Sequence, residues 1–126
     1  MAASEYADWL QRGRTHMWAG RPIDAVLCFR RAAHENARDV DARFHLGEML
    51  WQLGQTDAAI AAWRDAARID SRFLAARLAL AESLLSRADY AGAQAAATEA
   101  LALAPLEFRA QASHSAAAGR RAIARL

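Results

Sequence analysis

The chain is predicted to be all-α, a stack of three helix-turn-helix units, and three observations carry that prediction. Small residues recur 34 positions apart in four columns: Gly13, Gly47 and Ala81; Gly20, Gly54 and Ala88; Ala25, Ala59 and Ala93; Ala32, Ala66 and Ala100. Along the segments between turns, apolar side chains follow three- and four-residue steps, the spacing of one helix face. Helix breakers stand where the period asks for turns, at Gly20 with Pro22, at Gly54 and at Pro105. Single units follow at about 6–39, 40–73 and 74–107 within one domain of 126 residues.

Ser4 can cap a first helix, with Glu5 and Asp8 in the first turn, where carboxylates suit the positive end of the dipole. This helix is expected to run to about Ala19. Gly20 breaks it and Pro22 opens the second, because the fixed proline φ fits a first turn whose N–H groups are unpaired anyway. Ala25, Val26, Phe29, Ala32 and Ala33 make the second packing face. Asp39 can cap the third helix, whose packing positions are Phe44, Leu46, Gly47, Leu50, Trp51 and Leu53. Gly54 ends it, Thr56 can cap the fourth, and Ala59, Ile60, Trp63, Ala66 and Ala67 repeat the earlier face.

The fifth helix is expected from Arg72 to Arg87 and the sixth from Tyr90 to Leu103. Ala97 stands where the other units carry Phe29 and Trp63, so in this third, weakest copy either the two helices pack more closely, the favoured reading, or a side chain from the following helix fills the gap, voids being costly. Pro105 stops the sixth helix. Leu106 to about Ala118 can form a seventh with a polar outer face, a terminal cap, and residues 119–126 read as a frayed tail. The same ending is compatible with a chain cut from a longer repeat protein.

Composition bounds the chemistry. A single cysteine, Cys28, can form no intrachain bridge and reads as a small buried apolar group. With no signal-like leader and no apolar run of membrane-spanning length, a cytoplasmic location is expected. All sixteen basic residues are arginine, which suggests GC-rich coding and a bacterial source. The net charge of +2 is spread among interleaved acids, as on a solvated helix face, so nucleic acid is not an expected partner. None of the phosphate-loop, dinucleotide, dithiol, zinc-protease or nucleophile-elbow motifs occurs. His16, His34, His45 and His114 lie on different segments, none with a second histidine at helical spacing, so no metal site is expected. Asp39 and Asp41 are explained as helix-start carboxylates. Catalytic residues and cofactors are accordingly expected to be absent.

The period, with Leu46-Gly47, Leu50, Ala59, Trp63, Ala66 and the closing Pro105, resembles the tetratricopeptide repeat. The first copy offers Trp9, Gly13, Ala25, Phe29 and Ala32, but carries Arg12 where the pattern has Leu and His16 where it has Tyr. The resemblance implies a right-handed superhelical α-solenoid of three repeats with a C-terminal capping helix. It also implies that Gly47 sits where the paired helices cross, and that the first helix of each unit lines a concave groove.

Transferred position by position, the groove comprises Ala7, Leu10, Gln11, Arg14, Met17 and Trp18 in the first unit, and Asp41, Phe44, His45, Glu48, Trp51 and Gln52 in the second. The third supplies Ala75, Leu78, Ala79, Glu82, Leu85 and Ser86. One subfamily grips chaperone C-termini through Lys, Asn and Arg at positions that here read Leu10, Arg14, His45, Ala75 and Ala79, so that clamp is missing. What remains is an apolar strip of Leu10, Met17, Trp18, Phe44, Trp51, Leu78 and Leu85, edged by Arg14, His45, Glu48 and Glu82.

The function expected from this is a non-enzymatic module that binds a peptide or helix of a partner protein in the groove, acting as a monomer or weak homo-oligomer. The alternative is the N-terminal adaptor or substrate-recruiting part of a larger enzyme or of a secretion or assembly machine.

Overall fold

A computed structural model describes residues 2–103 as six α-helices: α1 (Ala2–Trp18), α2 (Pro22–Glu35), α3 (Asp41–Gln52), α4 (Thr56–Ile69), α5 (Leu74–Ser86) and α6 (Tyr90–Leu103). Each packs chiefly on its neighbours in sequence, the contact pattern of a solenoid. The seventh helix and tail expected from Leu106 onward lie outside the described residues.

Both kinds of turn repeat bond for bond. Inside each unit, Gly20, Gly54 and Ala88 adopt positive φ, of 74°, 80° and 61°. Their amides bond to Met17, Trp51 and Leu85, and the next amides, of Arg21, Gln55 and Asp89, bond to His16, Leu50 and Leu84. This double bond closes orphan carbonyls at a helix end. Between units, the side-chain oxygens of Asn36 and Asp70 accept from the amides of Arg38 and Arg72, at 3.3 and 3.0 Å. Arg43 and Arg77 reach back to the carbonyls of Ala37 and Ser71, at 3.2 and 2.8 Å. These arginines, expected to be merely solvated, tie the unit junctions.

Alanines let the layers close. Ala25, Ala32, Ala42, Ala59, Ala66 and Ala76 are fully buried, with Phe29 and Trp63 as the bulky residues among them. A Cβ on Gly13 would stand 2.6 Å from the Phe29 ring, and one on Gly47 would stand 2.4 Å from Trp63 Nε1. Each glycine is thus the hollow into which its unit's aromatic fits. The third unit has Ala81 and Ala97 in these places, so a methyl group replaces the glycine where the aromatic is gone. Beside this crossing, Ala81, Leu85, Tyr90, Ala93 and Ala97 border an open recess of about 350 Å³.

Four helix starts differ from expectation; α5 begins at Leu74, with Phe73 as its N-cap, two residues after the expected Arg72. Helix α1 begins at Ala2, which places Ser4 inside it. Gln55, not Thr56, is the N-cap of α4 and makes no side-chain cap bond, since the Gly54 turn delivers the chain into helix directly. Asp39 acts from one position further out, its carboxylate accepting the Asp41 amide at 2.9 Å while Val40 is the N-cap.

Candidate partner-binding groove

The concave side holds a hollow of about 490 Å³ between α3 and α5, in the range of small-ligand and peptide-anchor pockets. Its walls are Phe44, Glu48, Trp51 and Gln52 from α3, and Ala75, Leu78, Ala79, Glu82, Ser83 and Ser86 from α5. Trp63 of α4 reaches its floor.

Packing holds the α3 wall in place. The Phe44 ring meets Phe73 edge-on at 5.4 Å, and the Trp51 ring lies 5.9 Å from that of Trp63. Trp63 Nε1–H donates to the Phe44 carbonyl at 3.1 Å, so the residue that fills the Gly47 hollow also fixes the main chain beneath the groove. On the opposite wall Leu78 is 40 % exposed, and Ser83 is buried with its hydroxyl donating to the Leu80 carbonyl.

Of the residues expected in the groove, Phe44, Glu48, Trp51, Leu78 and Glu82 come together here. Gln52, Ala75, Ala79 and Ser86, expected there too, join them, while the remaining expected residues separate. Leu10 is a core residue and supports the array from within. Met17 is half-buried against the same core, while Arg14 is half-buried on α1 and Trp18 is exposed at its end, all outside the hollow. His45 turns onto the Phe29 ring, 5.3 Å away, and its Nδ1 lies 2.7 Å from Glu48 Oε1. Leu85 borders the recess beside α6 instead. Trp63 and Ser83 were not anticipated as lining residues; for Trp63 the available signal was its place opposite Gly47.

Among the described residues, the charged groups on the lining are the acids Glu48 and Glu82, and Glu82 has no ion pair or hydrogen bond there. The two residues with displaced acidity lie elsewhere. Burial, and then the neighbouring Asp39 carboxylate, raise the Tyr6 phenol, and burial raises the Cys28 thiol, which keeps it in the unreactive neutral form. Among the described residues no cluster of three or more His, Cys, Asp or Glu could hold a metal, and no helix is long and apolar enough to cross a membrane.

Solved structures share this architecture. The Yersinia enterocolitica type III secretion translocator chaperone SycD superposes with a TM-score of 0.77 at 21% identity, covering 90% of this chain and 88% of that one. MamA superposes at 0.75 with 22% identity over 79% of this chain, which spans 58% of the MamA chain. The second repeat domain of Spaghetti, bound to the HSP90 peptide SRMEEVD, gives 0.74 at 13% identity, covering 79% of this chain and 93% of that one. At these identities the likeness is one of fold. No curated protein matches the chain in sequence. The tetratricopeptide repeat family model matches residues 10–72, half of the 126. With six helices in 34-residue register and an aromatic seated on each of the first two crossing glycines, the chain belongs to the tetratricopeptide repeat family.

Proposed function

We propose that this chain is a non-enzymatic protein-binding module that holds a segment of a partner protein between α3 and α5. The observation that carries the reading is the hollow itself, whose Phe44, Trp51 and Leu78 side chains stand half open to solvent on a rigid backing. Apolar anchors set in a shaped concavity are what short-segment recognition uses. A similarly folded domain with a peptide in place, that of Spaghetti, supports the class of function without naming the partner.

The test is selection of peptides from a random library on the full chain, followed by affinity measurement with Leu78→Ala and Trp51→Ala variants. Leu78 is the cleaner probe, because its exposure makes truncation cheap for the fold. Selected peptides should lose about tenfold or more in affinity on Leu78→Ala, the size of an anchor contact. Unchanged affinity in both variants would remove the hollow as the binding site.

A further inference from the structure

We propose that the segment held in this hollow pairs large apolar side chains with an arginine or lysine, and that Glu82 receives the cation. The inference rests on the reading of the hollow as the partner site and adds the chemistry of its occupant.

The whole chain carries a formal charge of +2, yet among the described residues the hollow is lined by two acids and no base. Glu48 shares one carboxylate oxygen with His45, whereas Glu82 has no partner among the described residues. At the same register position on α1 stands Arg14, which does not line the hollow and so does not pair with Glu82. Seating an apolar segment against Phe44, Trp51 and Leu78 would strip water from the adjacent Glu82 carboxylate. That loss is unfavourable unless the incoming segment supplies an opposite charge. A cation on the segment turns the penalty into an attraction, while an acidic segment adds repulsion to it. SRMEEVD, the peptide seated in the Spaghetti domain, carries three acids against one arginine, and an excess of acid of that kind is disfavoured beside Glu48 and Glu82.

The experiment takes the peptides selected on the full chain and measures their binding at low and high salt to the parent, Glu82→Gln, Glu82→Arg and Leu78→Ala proteins. Enrichment of Arg or Lys beside two or more large apolar residues is expected. Glu82→Arg should weaken binding by about tenfold, with Glu82→Gln intermediate, and added salt should weaken binding to the parent. Thermal melts establish that the exposed Glu82 variants keep their fold. Peptides that need Leu78 but are enriched in acids, or are indifferent to Glu82→Arg, overturn this inference and leave the binding groove standing. Peptides indifferent to both Leu78→Ala and Trp51→Ala overturn both. A solution mass that rises with concentration and falls back on Leu78→Ala would put a second copy in the hollow and overturn the proposed occupant.

Discussion

Trp63 and Phe44 are joined across the crossing of α3 and α4 by a bond from the indole N–H to the main-chain carbonyl, 3.1 Å long. The indole can reach that carbonyl only because position 47 has no side chain, a Cβ there falling 2.4 Å from Nε1. Gly47→Ala should therefore destabilise the fold by about 1–3 kcal/mol, the cost of overpacking, although alanine is the better helix former by about 1 kcal/mol. Urea unfolding monitored by tryptophan fluorescence measures this directly. A variant as stable as the parent would mean that the indole moves aside without cost.

Ala88 occupies the left-handed turn position that Gly20 and Gly54 fill in the other units. A side chain at a φ of 61° is strained, and its removal relieves that strain at a smaller cost in unfolded-state entropy. Ala88→Gly is expected to stabilise the protein by about 1 kcal/mol, seen as a higher melting temperature. Gly54→Ala should shift the melt in the opposite direction.

The third crossing can be rebuilt in the image of the first two. Ala97→Phe alone sets a ring against the Ala81 methyl group, while Ala81→Gly alone costs about 1 kcal/mol of helix propensity. Together they recreate the Gly13–Phe29 arrangement. A double-mutant cycle should then show a favourable coupling of about 0.5–3 kcal/mol. Additive effects would show that the two positions do not meet.

Alkali acts on this fold through Tyr6. Its phenol is held neutral by burial and by the Asp39 carboxylate, so its folded pKa lies above the ordinary value of 10.0. A group whose pKa is raised on folding contributes stability that is present below the unfolded value and is lost as pH climbs past it. Urea midpoints should thus fall as pH rises above about 10, and Tyr6→Phe should flatten that fall. An equally steep decline in Tyr6→Phe would place the alkaline sensitivity elsewhere.

The parts legible in the sequence are those written within one helix or one turn. Pro22 and the Tyr90–Leu103 span coincide with helix limits because proline geometry and turn chemistry act locally. The repeat implied Gly47 at the crossing of its paired helices, and Trp63 is what fills the space it leaves. The groove was only half legible. Phe44, Trp51 and Leu78 converge, whereas Leu10 sinks into the core and Leu85 faces the neighbouring recess. Which flank of α5 faces α3 depends on the rotation of one unit against the next, and the spacing within a helix does not encode that angle. The junction bonds of Arg43 and Arg77 escaped notice for the same reason, since their carbonyl partners lie across a turn.

The two sides of the hollow come from different units, so its width is set at the α4–α5 junction and not by either helix alone. One of those units carries the strained Ala88 turn and has Ala97 in place of the interlocking aromatic, and segments of lower local stability open before the rest. A ligand wedged between α3 and α5 would then act as a splint. Occupancy and closure of the last repeat become a single equilibrium, and amide protons in α5 and α6 would exchange more slowly as the ligand is added.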